Sequence, residues 1–470
     1  MLFRDRSINV PVINYPKRKG GKKRKINMQS LSHVWRGPQI HVIQQILSES
    51  KWIAVDDTTH IQPISLTPSR SHLSSSYITS TPVLYLLVES PTASTRSALA
   101  ETPPRSLAFP PLSPSSPTTR SMPSLSDVLL DQAHHLEFES VHELPESHAW
   151  PTLHDHPCVS EPVPVIDMAD PKAAEFMARA CVSWGAFQVT GHGVAPRLLE
   201  SIDSEMRRLF ALPTQQKLKA ARPADGVSGY GLVPISSFFA KLMWSEGFTI
   251  AGSPLDHARK LWPHDPDQFC DAIERYDREM KALAGRLIRL MLLSLGLSDE
   301  EVEWAGQGGE LPPDLAGVLR LNSYPACPDP DRAMGMAAHA DSSLVTILYQ
   351  SSTSGLQVLR AEDQNSPARW VTVPPLPGAL VVIVGDLFHI LSNGRFKSVV
   401  HRVVVNRSQQ RVSAAYFCGP PAGVTVSPIE KLVGPGRAPA YRAVTWAEYL
   451  GLKRELFDKA LATIEVPQES

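Results

Sequence analysis

The residues in this chain best suited to chemistry are two imidazoles and a carboxylate: His339 and Asp341, in the triplet His339-Ala340-Asp341, and His401, sixty residues further on. Such a set can hold a divalent iron on one face and leave its other positions open to reactants. In an extended strand residues i and i+2 share a face, so His339 and Asp341 converge while Ala340 turns away. His401 heads the apolar run to Val405, which reads as a buried strand able to lie beside the first in a compact β-barrel.

A second group of polar residues is spaced to bind a small acid. Arg411 and Ser413 alternate on the run Arg411 to Phe417, and Asn322 and Tyr324 alternate on Leu319 to Pro325. Arginine presents a planar fork that fits a carboxylate, and a serine hydroxyl beside it adds a donor to the same anion. Each element alone has a plainer reading. A triplet as short as HxD arises by chance, a lone His401 is more often a core histidine, and a lone Arg411 a solvated one. Their order, their strand placement and the Asn322-Ser323-Tyr324-Pro325 run together favour the joint site. His389 reads as structural, and His192, between Gly191 and Gly193, as a turn residue.

Taken together, the HxD triplet, the distant histidine, the RxS pair and the NxYP run resemble the plant soluble 2-oxoglutarate- and Fe(II)-dependent dioxygenases, over about Ala149 to Ile464. That resemblance implies an α+β chain with a mainly β core, a double-stranded β-helix or jelly roll backed by helices. It implies that His339, Asp341 and His401 carry the catalytic iron, and that Arg411 and Ser413, helped by Tyr324 and Asn322, hold 2-oxoglutarate. Oxygen is the further cosubstrate, and ascorbate supports activity in related enzymes. The stretches Ile235 to Phe248, Thr346 to Ser351, Asp386 to Gly394 and Val444 to Leu450 are similar to the gibberellin 3-oxidases in particular. The implied reaction is 3β-hydroxylation of a nineteen-carbon, carboxylated gibberellin precursor to an active hormone. Other readings stay open: a gibberellin 2- or 20-oxidase, a flavonoid dioxygenase, or, outside enzymes, a barrel that lost catalysis and serves as a binding protein. Two residues depart from the pattern. Ala340 stands where threonine is common, and Ile383 replaces an asparagine, costing a polar contact near the cosubstrate.

The elements that must position these groups are legible in outline. Strands are expected over Val318 to Tyr324, Leu344 to Tyr349, Leu356 to Arg360, Trp370 to Val373, Ala379 to Val384, Val399 to Val405 and Val412 to Cys418, separated by Gly-, Pro-, Ser- and Asn-rich turns. Helices are expected over Pro171 to Trp184, Ala195 to Phe210, Gln268 to Leu295 and Trp446 to Ile464. In the third, Phe269, Ile273, Tyr276, Met280, Leu283, Leu287 and Leu290 form one apolar stripe. The aromatic stretch with no clean period, containing Phe238, Phe239 and Trp244, is expected to line an apolar substrate pocket.

Composition separates the front of the chain from the rest. Residues 1–120 carry 15 Lys/Arg and 6 Asp/Glu against 31 and 41 in the remainder, and 32 of the 60 residues from Ile61 to Arg120 are Ser, Thr or Pro. Such a stretch buries too little apolar surface to offset its ordering entropy, so residues 1–121 read as a disordered leader. Its basic run Lys17 to Lys25 reads as a solvated tail in preference to a nucleic-acid contact, and a transit peptide is compatible with the composition. Met122 is the expected natural start. The remaining regions are a helical part (122–315), the jelly-roll core (316–420) and a C-terminal segment (421–470). Five scattered cysteines without CxxC pairs argue against a disulfide framework. With no membrane-length apolar run, this points to a reducing, cytoplasmic setting without membrane contact; the resemblance implies a small diterpenoid substrate, and a monomer without a nucleic-acid partner is expected.

Overall fold

The computed structural model describes residues 136–467, apart from short gaps at 152, 154, 224–225, 233, 299–300, 303–314, 362–366 and 435–437, together with two isolated segments near the start. The chain divides into two units, Met1–Ser115 and Ser116–Ser470. In the first, Lys25–Asn27 pairs antiparallel with Trp52–Ala54. The rest of the leader, including the Ser/Thr/Pro-rich stretch and Met122, lies outside the described residues.

Among the described residues of the second unit, fifteen strands are interspersed with helices. They are β1 (Cys158–Val159), β2 (Val165–Asp167), β3 (Ala186–Thr190), β4 (Gly229–Tyr230), β5 (Glu246–Ile250), β6 (Ala316–Tyr324), β7 (Met334–His339), β8 (Val345–Gln350), β9 (Leu356–Arg360), β10 (Arg369–Thr372), β11 (Leu380–Val384), β12 (His401–Val404), β13 (Arg411–Gly419), β14 (Thr425–Val426) and β15 (Val444–Thr445). An eight-stranded sheet runs β2-β3-β11-β8-β13-β6-β5-β4, and a five-stranded sheet runs β1-β10-β9-β12-β7.

Side-chain alternation decides which way each strand faces. On β8, Val345 and Ile347 pack outward with Val412, Ala414 and Tyr416 of β13 and with the helices. Leu348 points the other way, into a second apolar cluster with Val381, Ile383 and Ala415 of the same sheet and Met336, Val358 and Val403 of the five-stranded sheet. The interior of a double-stranded β-helix thus lies between the two sheets, and the site is built on its walls.

The outer face is covered by helices α1 (Ala173–Ser183), α2 (Pro196–Phe210) and α4 (Asp267–Ser294), with α3 (Leu255–Leu261) alongside. The expected stripe on α4 packs there: Phe269 through Leu287 are buried, while Leu290 is only partly covered. Burying side chains of this size contributes about 1.5–3 kcal/mol each.

Several boundaries and elements differ from expectation. α5 (Asp386–Leu391) and β5 carry no clean period in the sequence, because both are too short and too thoroughly buried for one polar face to show. The C-terminal helix, α6 (Trp446–Leu456), does not run to Ile464: it stops at Phe457, whose φ of 52° breaks it, and two short 3-10 turns follow. No helix among the described residues is long and apolar enough to cross a membrane.

Candidate active site

His339 ends β7 and His401 opens β12, and the two are direct partners across the antiparallel pair. Their rings stand 4.3 Å apart between centroids. Asp341 reaches the same point by a different route from the one expected. The strand stops at His339, so convergence comes from the loop that follows it and not from strand alternation. That loop is held firmly. The Asp386 backbone N–H at the start of α5 donates to Asp341 O at 2.7 Å, Lys453 Nζ donates to Ala340 O at 3.2 Å, and Thr346 Oγ1 donates to Asp341 Oδ2 at 2.6 Å. Gly385 permits the approach, since a Cβ there would fall 2.0 Å from Ser343 O.

The donor set suits iron. His339 Nε2 and His401 Nε2 lie 3.6 Å and 3.7 Å from Asp341 Oδ1, and the three ligand atoms fall within 4.8 Å of one another. Each Nδ1 faces a backbone carbonyl, Ala337 O at 2.8 Å and Val399 O at 3.2 Å, which can only accept. Both Nδ1 atoms therefore carry the proton, and both Nε2 lone pairs are free to bind a metal. Burial, reinforced by the neighbouring His401 imidazole, lowers the His339 pKa to about 4, so the ring is neutral at physiological pH, as a ligand must be.

The second polar group assembles on the eight-stranded sheet. Arg411 pairs with Tyr324, and Ser413 with Asn322 on one side and Gln350 on the other. Arg411 is fully enclosed, with its guanidinium 5.1 Å from the Tyr324 ring centroid and Nη2 donating to Gln350 Oε1 at 3.0 Å. Among the described residues its Nε and Nη1, and Gln350 Nε2, have no hydrogen-bond partner. Buried donors left open beside a cation ask for an anion with several acceptor oxygens, and a carboxylate meets that need. Burial also raises the Tyr324 pKa against the pull of Arg411 and Arg320, so its hydroxyl stays protonated. Thr346, which orients Asp341, and Gln350, which orients Arg411, are four residues apart on one face of β8. That is roughly 13 Å along the strand, with room for a short dicarboxylate between their side chains.

The remaining sequence assignments fall as follows. Asn322 Oδ1 accepts from Arg320 Nε at 3.0 Å. Ile383 pairs with Thr346 and faces the barrel interior, and Ala340 contributes only its backbone carbonyl. Phe238 is partly exposed and stacks on Phe457 at 4.9 Å, and Phe239 packs between Phe457 and Trp150. Trp244 is wholly buried, bonded to Pro325 O and packed edge-on against Phe138 and His148, so it is a wall-supporting core residue and not an open lining one. His389 spends both nitrogens inside the fold, on Phe396 O and Tyr441 Oη. His192 sits in a turn flanked by two glycines with positive φ. Thr346, Gln350, Asp386 and Lys453 were not singled out from the sequence as site residues. The alternation Thr346-Leu348-Gln350 within an apolar strand was the available signal for the first two.

Comparison with known proteins places this geometry. Residues 316–420 match the model of the 2OG-Fe(II) oxygenase superfamily, and residues 163–270 match that of the non-haem dioxygenase in morphine synthesis N-terminal region. The chain is 52% identical over 361 residues to gibberellin 3-beta-dioxygenase 1 of Pisum sativum, covering 73% of this chain and 94% of that protein. It is 50% identical to gibberellin 3-beta-dioxygenase 1 of Arabidopsis thaliana, covering 72% and 96%. Among solved structures, JOX2 in complex with 2OG, Fe and JA is similar at 30% identity and a TM-score of 0.60, covering 72% of this chain and 97% of that one.

Proposed function

Because this chain belongs to the 2OG-Fe(II) oxygenase superfamily, and within it to the gibberellin 3-beta-dioxygenases, we infer that it hydroxylates nineteen-carbon gibberellin precursors at the 3β position. The observation that carries this is 45–52% identity to dioxygenases of that one name, over nearly their whole length, in a chain whose His-Asp-His cluster is intact. Fe(II) is its metal, 2-oxoglutarate and O2 its cosubstrates, and a small molecule its substrate.

In this reading His339, Asp341 and His401 hold the iron. Bound there, iron(II) with 2-oxoglutarate and oxygen supplies the oxidising power for C–H hydroxylation, 2-oxoglutarate leaving as succinate and carbon dioxide. The chain's own groups do the rest. The Nδ1 bonds to Ala337 and Val399 fix both imidazoles in the ligating tautomer, and Thr346 holds Asp341 by one oxygen so that the other faces the histidines. Arg411 and Ser413, with Tyr324 and Asn322, grip the far carboxylate of 2-oxoglutarate, and the apolar interior around Leu348, Val381 and Ala415 keeps water away. Phe238 and Phe239 line the substrate pocket. The chain works as a monomer in the cytoplasm. Its working parts are the helical region 122–315, the jelly-roll core 316–420 and the closing segment 421–470, with residues 1–121 dispensable for activity.

The test is product analysis by liquid chromatography and mass spectrometry. The full chain and residues 122–470 are each supplied with Fe(II), 2-oxoglutarate, oxygen and ascorbate and a panel of 3-deoxy gibberellins. One 3β-hydroxylated product, dependent on 2-oxoglutarate and formed by both, is expected. Oxidation at another carbon reassigns the chain to a 2- or 20-oxidase, and absence of turnover with iron bound sinks the reading.

A further inference from the structure

Arg320 is a buried charge that the iron and 2-oxoglutarate roles leave unused. It shares the inward face of β6 with Asn322 and Tyr324 and pairs with Ala415 of β13, which in turn pairs with Leu348 of β8. Leu348 lies between Thr346 and Gln350, so the Arg320 row sits between the iron end of the interior and the Arg411 end.

Its side chain is deeply enclosed, with the residue only 6% exposed. Nη1 donates to Thr249 Oγ1 at 2.8 Å and Nε to Asn322 Oδ1 at 3.0 Å, while Nη2 stands 3.4 Å from Gly231 O, a weak bond at best. All three acceptors are neutral. Among the described residues no carboxylate lies within ion-pair distance, and the strongest charged neighbour is Arg222, of the same sign. Burial, with Arg222 adding to it, lowers the Arg320 pKa to about 10. Gly247 opens the space, because a Cβ there would fall 2.0 Å from Nη2.

Among the described residues the other fully buried cations are paired, Lys217 with Glu246 and Arg402 with Asp155. The exceptions are Arg411, whose open donors await the cosubstrate, and Arg320. A buried charge without a counter-ion is costly, and chains keep one where a ligand supplies the opposite charge.

We propose that Arg320 anchors the carboxylate of the substrate, and by holding that end of the molecule sets which carbon is presented to the iron. This rests on the reading of the substrate as a carboxylated gibberellin. The second cation, Arg222, bonded to Leu232 O beside Gly231, adds to the positive field that draws the acid in.

The experiment is equilibrium binding, without turnover, to the full chain loaded with Mn(II) and 2-oxoglutarate. The ligands are a 3-deoxy gibberellin acid and its carboxamide, which has the same shape and no charge. The unaltered enzyme should bind the acid at least about 30-fold more tightly than the amide. Arg320→Met should remove that preference, with 2-oxoglutarate affinity within about twofold of the original, and Arg320→Lys should restore part of it. Equal binding of acid and amide by the unaltered enzyme keeps the gibberellin reading and overturns the role of Arg320, and this comparison decides even if Arg320→Met does not fold. Loss of 2-oxoglutarate affinity with acid binding intact would reassign the residue to the cosubstrate. Failure of the unaltered enzyme to bind either ligand would sink the substrate reading and the anchor together.

Discussion

At the iron end of the barrel interior the polar atoms that do not face the metal position are already engaged: both Nδ1 atoms on carbonyls, Asp341 Oδ2 on Thr346, the loop carbonyls on Asp386 and Lys453. At the arginine end the opposite holds. Among the described residues Arg411 keeps Nε and Nη1 unpartnered, and Gln350 keeps Nε2. The difference follows from what each end must do. A metal site gains from ligands fixed before the ion arrives, since second contacts set tautomer and angle. A site for an exchanging anion gains from donors left open, because each turnover replaces the bound acid.

The comparison can be broken from either side. The largest effect is expected at the ligands: His339→Ala or Asp341→Ala should abolish 2-oxoglutarate-dependent turnover and stoichiometric iron binding while leaving the fold, read by circular dichroism, in place. Full activity in either variant would overturn the site assignment. Next, Arg411→Met leaves the iron end untouched. It should weaken 2-oxoglutarate binding by about 2–5 kcal/mol, roughly 30-fold or more, with little change in iron affinity. A drop in iron affinity equal to the drop in 2-oxoglutarate affinity would show that the two ends are not separable. The smallest effect sharpens the contrast. Thr346→Val removes one bond to Asp341 and should cost roughly tenfold in iron affinity or activity, measured by iron titration, without altering the 2-oxoglutarate KM. Parity with the parent enzyme would mean that the Asp386 and Lys453 contacts suffice to hold the loop.

The same contrast separates what was readable in the chain from what was not. The grouping of His339, Asp341 and His401 is legible because metal binding restricts residue type, and the pairing of Arg411 and Ser413 with Tyr324 and Asn322 because alternation on a strand restricts spacing. The α4 stripe is legible because one helix face is apolar over many turns. The burial of Trp244 is not legible, because an aromatic residue in an aperiodic stretch looks the same whether it borders a cavity or fills a core. The end of α6 is not legible, because the turn at Phe457 depends on a positive φ that the residue type does not announce.

By itself, then, the order of residues determined the chemistry: two imidazoles, a carboxylate, a distant RxS pair and strands of the right period to carry them. Only the tertiary structure decided that His401 stands directly opposite His339, that Asp341 arrives by a loop braced from α5 and α6, and that Arg320 is buried with no counter-ion among the described residues. The physical reason is range. Period and residue type are local and survive in a linear string, whereas register, burial and the absence of an opposite charge depend on segments that meet only when the sheets close.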